Sequence, residues 1–380
     1  MKFQKTLVLF VTLFSLFAMD ANSQNSIKKY EASWKKVEVL VKQKLPQSAL
    51  NELKKIYQRA KKDGLAGSPQ DAQIIKSLVY MTGLQSENRE DNEVFSIHEI
   101  EKEIAASKEP VSSILNSLLA EMYWNYYQQN RWDLYNRTKT TDFKKDDIAT
   151  WGTDDFHKKI SELYQRSLKE EKLLQQIKLE PFDAIIIKGN VRHLRPTLFD
   201  LLAHRALGYF ENDERDIARP AYAFEIDQAS AFDPAADFIH RKFITKDSGS
   251  LHYQALLLYQ RIIAFHLRDT KQDALIDADI QRIQFVKEKS VHPDKDQLYF
   301  NAINHIAHQY ENMRAAAQAW YWVAYYYQQQ AANYKPYGDT THRFARIKAK
   351  EICEKIVSRK DSSEGSVNCF NLWLHESHFR

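Results

Sequence analysis

Along most of the chain, apolar residues recur three to four positions apart, the spacing of one face of an α-helix. From Ile27 to Lys44 the positions Tyr30, Trp34, Val37, Leu40 and Val41 keep that spacing. Leu45-Pro46 interrupts it. A second helix then carries Ala49, Leu50, Leu53, Ile56 and Tyr57 on one face and ends at Gly64. Ser68 as N-cap, Pro69 in the first turn and Asp71 three residues after the cap predict a third helix, with Ile74, Ile75, Leu78 and Val79 as its apolar positions. Short helices joined by short loops pack as antiparallel pairs, so the pattern predicts an all-α, tetratricopeptide-like helical-hairpin array, α-solenoid-like in build. Trp34 and Tyr57 take the large-residue positions of such a repeat and Ala49 the small one. No strict period of about 34 residues holds, so the likeness is one of architecture.

A central helix opens at Pro110, with Val111, Ile114, Leu115, Leu118, Leu119, Met122, Tyr123 and Tyr126 as its stripe and Trp124 and Tyr127 off it. A helix apolar nearly all round is buried on several sides. The segment from Asn136 to Asp155 is polar and irregular, a long loop, and helix resumes through Ile160, Leu163, Tyr164 and Leu168. Residues 181–249 are the least regular. Ala184-Ile185-Ile186-Ile187 fits a short strand or a buried helical turn. Thr197-Leu-Phe-Asp200 is a capping box for a helix through Tyr209. Tyr222, Phe224 and Ile226 alternate in an extended connection between Pro220 and Pro234. From Ser250 the helical pattern returns, through an Ala- and aromatic-rich stretch at 315–332, to a final pair from about Thr340 and Ser363. The expected organisation is a helical-repeat part at 24–180, an irregular connecting segment at 181–249 and a second helical-repeat part at 250–380.

The first residues depart from this pattern. Lys2 and Lys5 precede an apolar run from Thr6 to Met19, and Ala21-Asn22-Ser23 supplies small residues before Gln24. That order is a secretory signal peptide over 1–23, too short an apolar run for the roughly 20 residues that span a bilayer. No cysteine lies near the cleavage point, so the chain is not read as a lipoprotein, and no transmembrane helix is expected in the mature chain. The expected location is the periplasm or cell envelope of a Gram-negative bacterium.

Glycine and proline number 9 each in 380 residues, well under their usual shares of about 7% and 5%. That scarcity disfavours a turn-rich β-sandwich. Net charge is +4 with both signs interspersed and no basic block, so nothing points to nucleic acid. Cys353 and Cys369 match no zinc spacing. In an exported chain they are expected to form a disulfide that clamps the last hairpin, worth roughly 3 kcal/mol in the chain-entropy model.

Candidate chemistry is sparse. Trp124, Tyr127, Trp132 and Tyr135, with Tyr123 and Tyr126 between them, are dense enough to line a binding groove; core packing is the competing account. His305 and His308 lie one helical turn apart, a metal-binding spacing with no evident third ligand. His98-Glu99 and His375-Glu376 lack the second histidine a zincin helix needs. Asp133, Asp154, Asp155 and Asp200, near aromatics, would suit sugar hydrolysis, but acids on polar helix faces are mostly solvated. No nucleotide-binding or nucleophile-elbow fingerprint occurs. The expectation is a chain without catalytic residues, metal or cofactor.

Five stretches then carry a family likeness: Leu119-Ala-Glu-Met-Tyr-Trp-Asn-Tyr-Tyr-Gln-Gln-Asn-Arg-Trp132, His193-Leu-Arg-Pro-Thr-Leu-Phe-Asp-Leu-Leu-Ala-His-Arg-Ala-Leu207, Arg219-Pro-Ala-Tyr-Ala-Phe-Glu225, Ala274-Leu-Ile-Asp-Ala-Asp279 and His292-Pro-Asp-Lys-Asp296. In this order they resemble the N-terminal helical region of the large bacterial α2-macroglobulin-like proteins, over about Tyr30 to Cys369. The resemblance implies an envelope endopeptidase inhibitor whose bait segment is cut and whose thioester, in a Cys-x-Glu-Gln motif, captures the attacker. Neither cysteine here sits in that motif, and the bait region and β-sandwich macroglobulin domains are missing from the sequence. The stretch from Phe370 to Arg380 also departs from the family pattern. What the resemblance implies is therefore a non-catalytic interaction or scaffold segment. Its partners would be the macroglobulin domains of a full-length protein and target proteases. The alternative is an independent helical-repeat scaffold or a glycan-binding protein of the cell envelope.

Overall fold

The computed structural model describes residues 21–87, 89–135, 147–215 and 221–377, without the side chains of 21–29, 135 and 375–377. The signal peptide expected at 1–23 therefore lies outside the described residues except at its last three positions. Fifteen α-helices and no β-strand occur among the described residues. The chain divides into two units, residues 1–192 with 196–206 and residues 193–195 with 207–380.

The first unit contains α1 (Ala21–Lys42), α2 (Pro46–Asp63), α3 (Pro69–Ser86), α4 (Asn92–Ala106), α5 (Val111–Tyr135), α6 (Thr153–Ser167), α7 (Glu171–Gln176) and the first turns of α8 (Leu198–Phe210). Successive helices pack on one another, α1 on α2, α2 on α3, α4 on α5 and α5 on α6. This is the helical-hairpin array expected from the period. Pro46 opens α2, and Lys61 and Lys62 close it where the helix dipole favours cations. Tyr30, Trp34, Val37, Leu53 and Ile56 all lie in the core, and fully buried Ala49 lets the helices approach. At α3 the cap is half of what the sequence predicts. Asp71 accepts from the Gly67 amide at 2.7 Å, while the Ser68 hydroxyl makes no cap bond. Gly67 takes φ 78° in that turn, a region costly to other residues. Helix α5 touches α3, α4 and α6, which explains its nearly all-round apolar surface.

The second unit runs from the end of α8 through α9 (Ala235–Phe238), α10 (Leu251–His266), α11 (Asp273–Lys289), α12 (Lys295–Gln309), α13 (Ala317–Ala331), α14 (Ala345–Val357) and α15 (Glu364–Ser377). From α10 onward each helix packs on the next, and α15 also packs on α13. The alanines of α13 serve that packing, since Ala317, Ala319 and Ala324 are fully buried. The approach is closest at Gly365, where an added Cβ would fall 2.2 Å from the Ala317 carbonyl carbon.

The expected capping box of α8 is present in both halves. Asp200 accepts from the Thr197 amide at 2.9 Å and the Thr197 hydroxyl accepts from the Asp200 amide at 3.3 Å. Ala184 to Ile187 is neither strand nor buried turn. It is a partly exposed turn after the Glu180–Phe182 3-10 turn, with Ile187 71% exposed. The buried anchor there is Phe182, which the isoleucine run disguises. In the connection, Phe224 and Ile226 are buried while Tyr222 is exposed. Ile226 forms one parallel bridge to Ser290.

Candidate functional site

Among the aromatic candidates on α5 whose side chains are described, Trp124, Tyr127 and Trp132 differ in burial. Tyr127 is fully buried, its ring 5.9 Å from Phe156 and 5.0 Å from His157. Trp124 is half-buried and stacks on Tyr127 at 5.4 Å. Trp132 stands 67% exposed with the Arg131 guanidinium over its ring. The side chain of Tyr135 lies outside the described residues. The helical period separates these roles: Tyr123 and Tyr127, one turn apart, share the buried face. Tyr123 stacks on Trp151 at 5.5 Å. Its hydroxyl donates to Glu101 at 3.0 Å, and the Lys159 ammonium donates to the same oxygen at 2.8 Å. Burial alone would raise the Glu101 carboxyl, but its partners, Lys159 first, hold it below the ordinary value. Burial beside this carboxylate pushes the Tyr123 hydroxyl well above its own. The Tyr123 hydroxyl is thus satisfied within this core.

The carboxylates are dispersed. Asp133 and Asp154 are exposed. Asp155 accepts from the Gly152 amide at 3.0 Å and caps α6, and Asp200 caps α8. His308 bonds the Asn304 carbonyl through Nδ1 at 2.8 Å and packs on Trp320. His305, on the same helix, is exposed. His98 pairs with Glu101 at 3.3 Å, and the side chain of His375 lies outside the described residues. No three His, Cys, Asp or Glu among the described residues cluster as a metal would require.

Cys353 and Cys369 are buried free thiols; the expected disulfide is not formed in the structure. They lie on the two helices of the α14–α15 hairpin. The neighbouring Cys353 thiol, then burial, raises the Cys369 thiol above its ordinary value.

One cleft was not foreseen from the sequence. It encloses about 270 Å³ in the second unit, lined by Phe232, Asp233, Asp279, Arg282, Asn301 and His305 among others. Its floor is the Arg282–Asp279 ion pair, 1% and 4% exposed at 2.6 Å. Arg282 also donates to the Ala231 carbonyl at 2.6 Å and the Asp233 carbonyl at 2.8 Å, and lies 4.1 Å over the Phe238 ring. With its donors occupied, the guanidinium straps the irregular connection onto α11. The cleft wall offers Asn301 and His305 as polar groups beside Phe232 and Leu298. The ion pair itself is a structural clamp. The spacing Asp279–Arg282, three apart among the apolar positions Ala278, Ile280 and Ile283, was the available signal.

A second polar group sits on α10 and α11. Tyr259 donates to Glu211 at 2.5 Å, and Gln281 donates to Asp277 at 2.6 Å. Burial raises both carboxyls and the Tyr259 hydroxyl. On α13, Tyr321, Trp322 and Tyr325 are half-exposed, with ring centroids 5.0 to 6.1 Å apart. No protein-family model, curated protein or solved structure matches the chain.

Proposed function

We propose that this chain is a non-catalytic helical interaction segment of an exported α2-macroglobulin-like endopeptidase inhibitor, acting in the periplasm or cell envelope. The observation that carries this is the sequential packing of hairpins, each helix on its neighbour. Such arrays are quasi-one-dimensional and present extended surfaces to other proteins. The buried polar groups support the same role. Asp155 and Asp200 cap helices, the Arg282–Asp279 pair straps a connection, and Tyr123 is satisfied within the core. The resemblance of five ordered stretches to the macroglobulin-like region supports the family part of this reading. In an oxidising compartment Cys353 and Cys369 are the chain's disulfide candidate. Among the described residues no helix is long and apolar enough to cross a membrane.

Reconstitution tests this. A β-rich macroglobulin-type segment with a bait sequence is mixed with an endopeptidase, with and without this chain. The chain alone should leave proteolysis of a protein substrate unchanged, and its addition should change capture by the β-rich segment. Inhibition by the chain alone, or no effect on capture, contradicts the proposal.

The touching, half-exposed rings of Tyr321, Trp322 and Tyr325 favour a second reading, a glycan-binding face on an independent scaffold. A glycan array with the wild type and Trp322→Ala separates the two. Glycan binding lost in the variant supports this second reading.

A further inference from the structure

The connection between α13 and α14 carries a local excess of positive charge. From Tyr334 to Lys350 the chain holds Lys335, Arg343, Arg346, Lys348 and Lys350 against one acid, Asp339. The connection is held in shape by its own bonds. The Lys335 amide donates to the Asp339 carbonyl at 2.9 Å, and the Arg343 amide to the Thr340 carbonyl at 3.0 Å. The Asp339 carboxylate is engaged locally, accepting from the Thr341 amide at 2.9 Å and the Thr341 hydroxyl at 2.5 Å. Lys350 pairs with Glu354 at 3.6 Å, and the Lys348 ammonium lies 5.3 Å over the Tyr327 ring.

The two arginines differ from these lysines. They open onto a cavity of about 380 Å³ at the end of α13, lined by Ala331, Ala332, Tyr334, His342, Arg343 and Arg346. That volume falls within the range of about 300–1,000 Å³ usual for small-molecule sites. No carboxylate lines it. Arg343 lies over the Phe344 ring at 5.3 Å. Among the described residues neither guanidinium donates to a carboxylate or a carbonyl. Two unengaged guanidiniums and an imidazole around one cavity select an anion, and the planar donor fork of arginine matches the oxygens of a phosphate group. The Tyr334 ring and the methyls of Ala331 and Ala332 give the same cavity an apolar wall.

We propose that this cavity binds a small organic phosphate, its phosphate oxygens accepting from Arg343 and Arg346 and its organic part resting against Tyr334. Isothermal titration of the full chain with phenyl phosphate tests this, with inorganic phosphate, phenol and phosphatidylglycerol vesicles as the other arms. Phenyl phosphate should saturate one site with a Kd below about 1 mM. Inorganic phosphate should bind more weakly, and phenol should not bind. Arg343→Gln and Arg346→Gln should each weaken phenyl phosphate about tenfold, the worth of a charged hydrogen bond. Both side chains are exposed, so both variants should melt with the wild type. No saturable heat from phenyl phosphate at about 10 mM, or binding undiminished in both variants, overturns the proposal. Inorganic phosphate binding as tightly as phenyl phosphate overturns the part given to Tyr334. Capture by the vesicles with neither soluble phosphate bound overturns the small-molecule site and makes this face a lipid-headgroup contact.

Discussion

Asp71 stands in the first turn of α3, 6% exposed, accepting from the Gly67 amide. Burial raises its carboxyl from 3.8 to about 6, against the pull of backbone amides. A raised folded value means its contribution to stability is full below about pH 4 and is lost as pH rises through about 6. Asp71→Asn removes that titration. The wild-type-minus-variant unfolding free energy should therefore fall by about 1–2 kcal/mol between pH 4 and pH 7, allowing for solvent screening. Urea unfolding at the two pH values checks it, and an equal difference at both contradicts it. Tyr127 and Trp132 divide in the same way between core and surface. Tyr127→Ala should cost about 3–5 kcal/mol, and Trp132→Ala at most about 0.5 kcal/mol. Comparable losses would return both to one shared environment. The aromatic density near Trp124 was legible in the sequence; its sorting was not, because rings on neighbouring faces of one helix look alike until their partners are placed.

Among the elements, capping signals were read well where a side chain closes its own helix, as at Thr197 and Asp200. They were read partly where backbone geometry shares the task, as at Ser68. Helix α4 was missed. Its buried positions are few, Ile97 and Ile100, set among charged residues. The clamp on the connection was also hidden, since Arg282 reaches carbonyls 51 and 49 residues away in sequence. Arg282→Met should cost about 3–5 kcal/mol by leaving Asp279 buried and uncompensated. Adding Asp279→Leu should recover part of that loss, and a double variant no better than the single one contradicts the account. Gly365→Ala should be at least as damaging as a typical overpacked core, about 3 kcal/mol, because backbone and not a flexible side chain occupies the space. Hydrogen exchange over 364–377 should quicken in that variant, and unchanged protection would place the contact elsewhere.

At the scale of the molecule, periodicity and scarce glycine were enough for the all-helical array, since local spacing decides helix type. The cleft over Arg282 and Asp279 was not legible, because it is assembled from α11, α12 and a connection that has no period. The proposed role depends on surfaces meeting another protein, which the helical pattern does not encode. Isothermal titration of this chain against a macroglobulin-type β-rich segment tests that role most directly. Saturable binding in the micromolar range or tighter, about −8 kcal/mol, is the predicted result; no heat of binding at concentrations well above that range would contradict it.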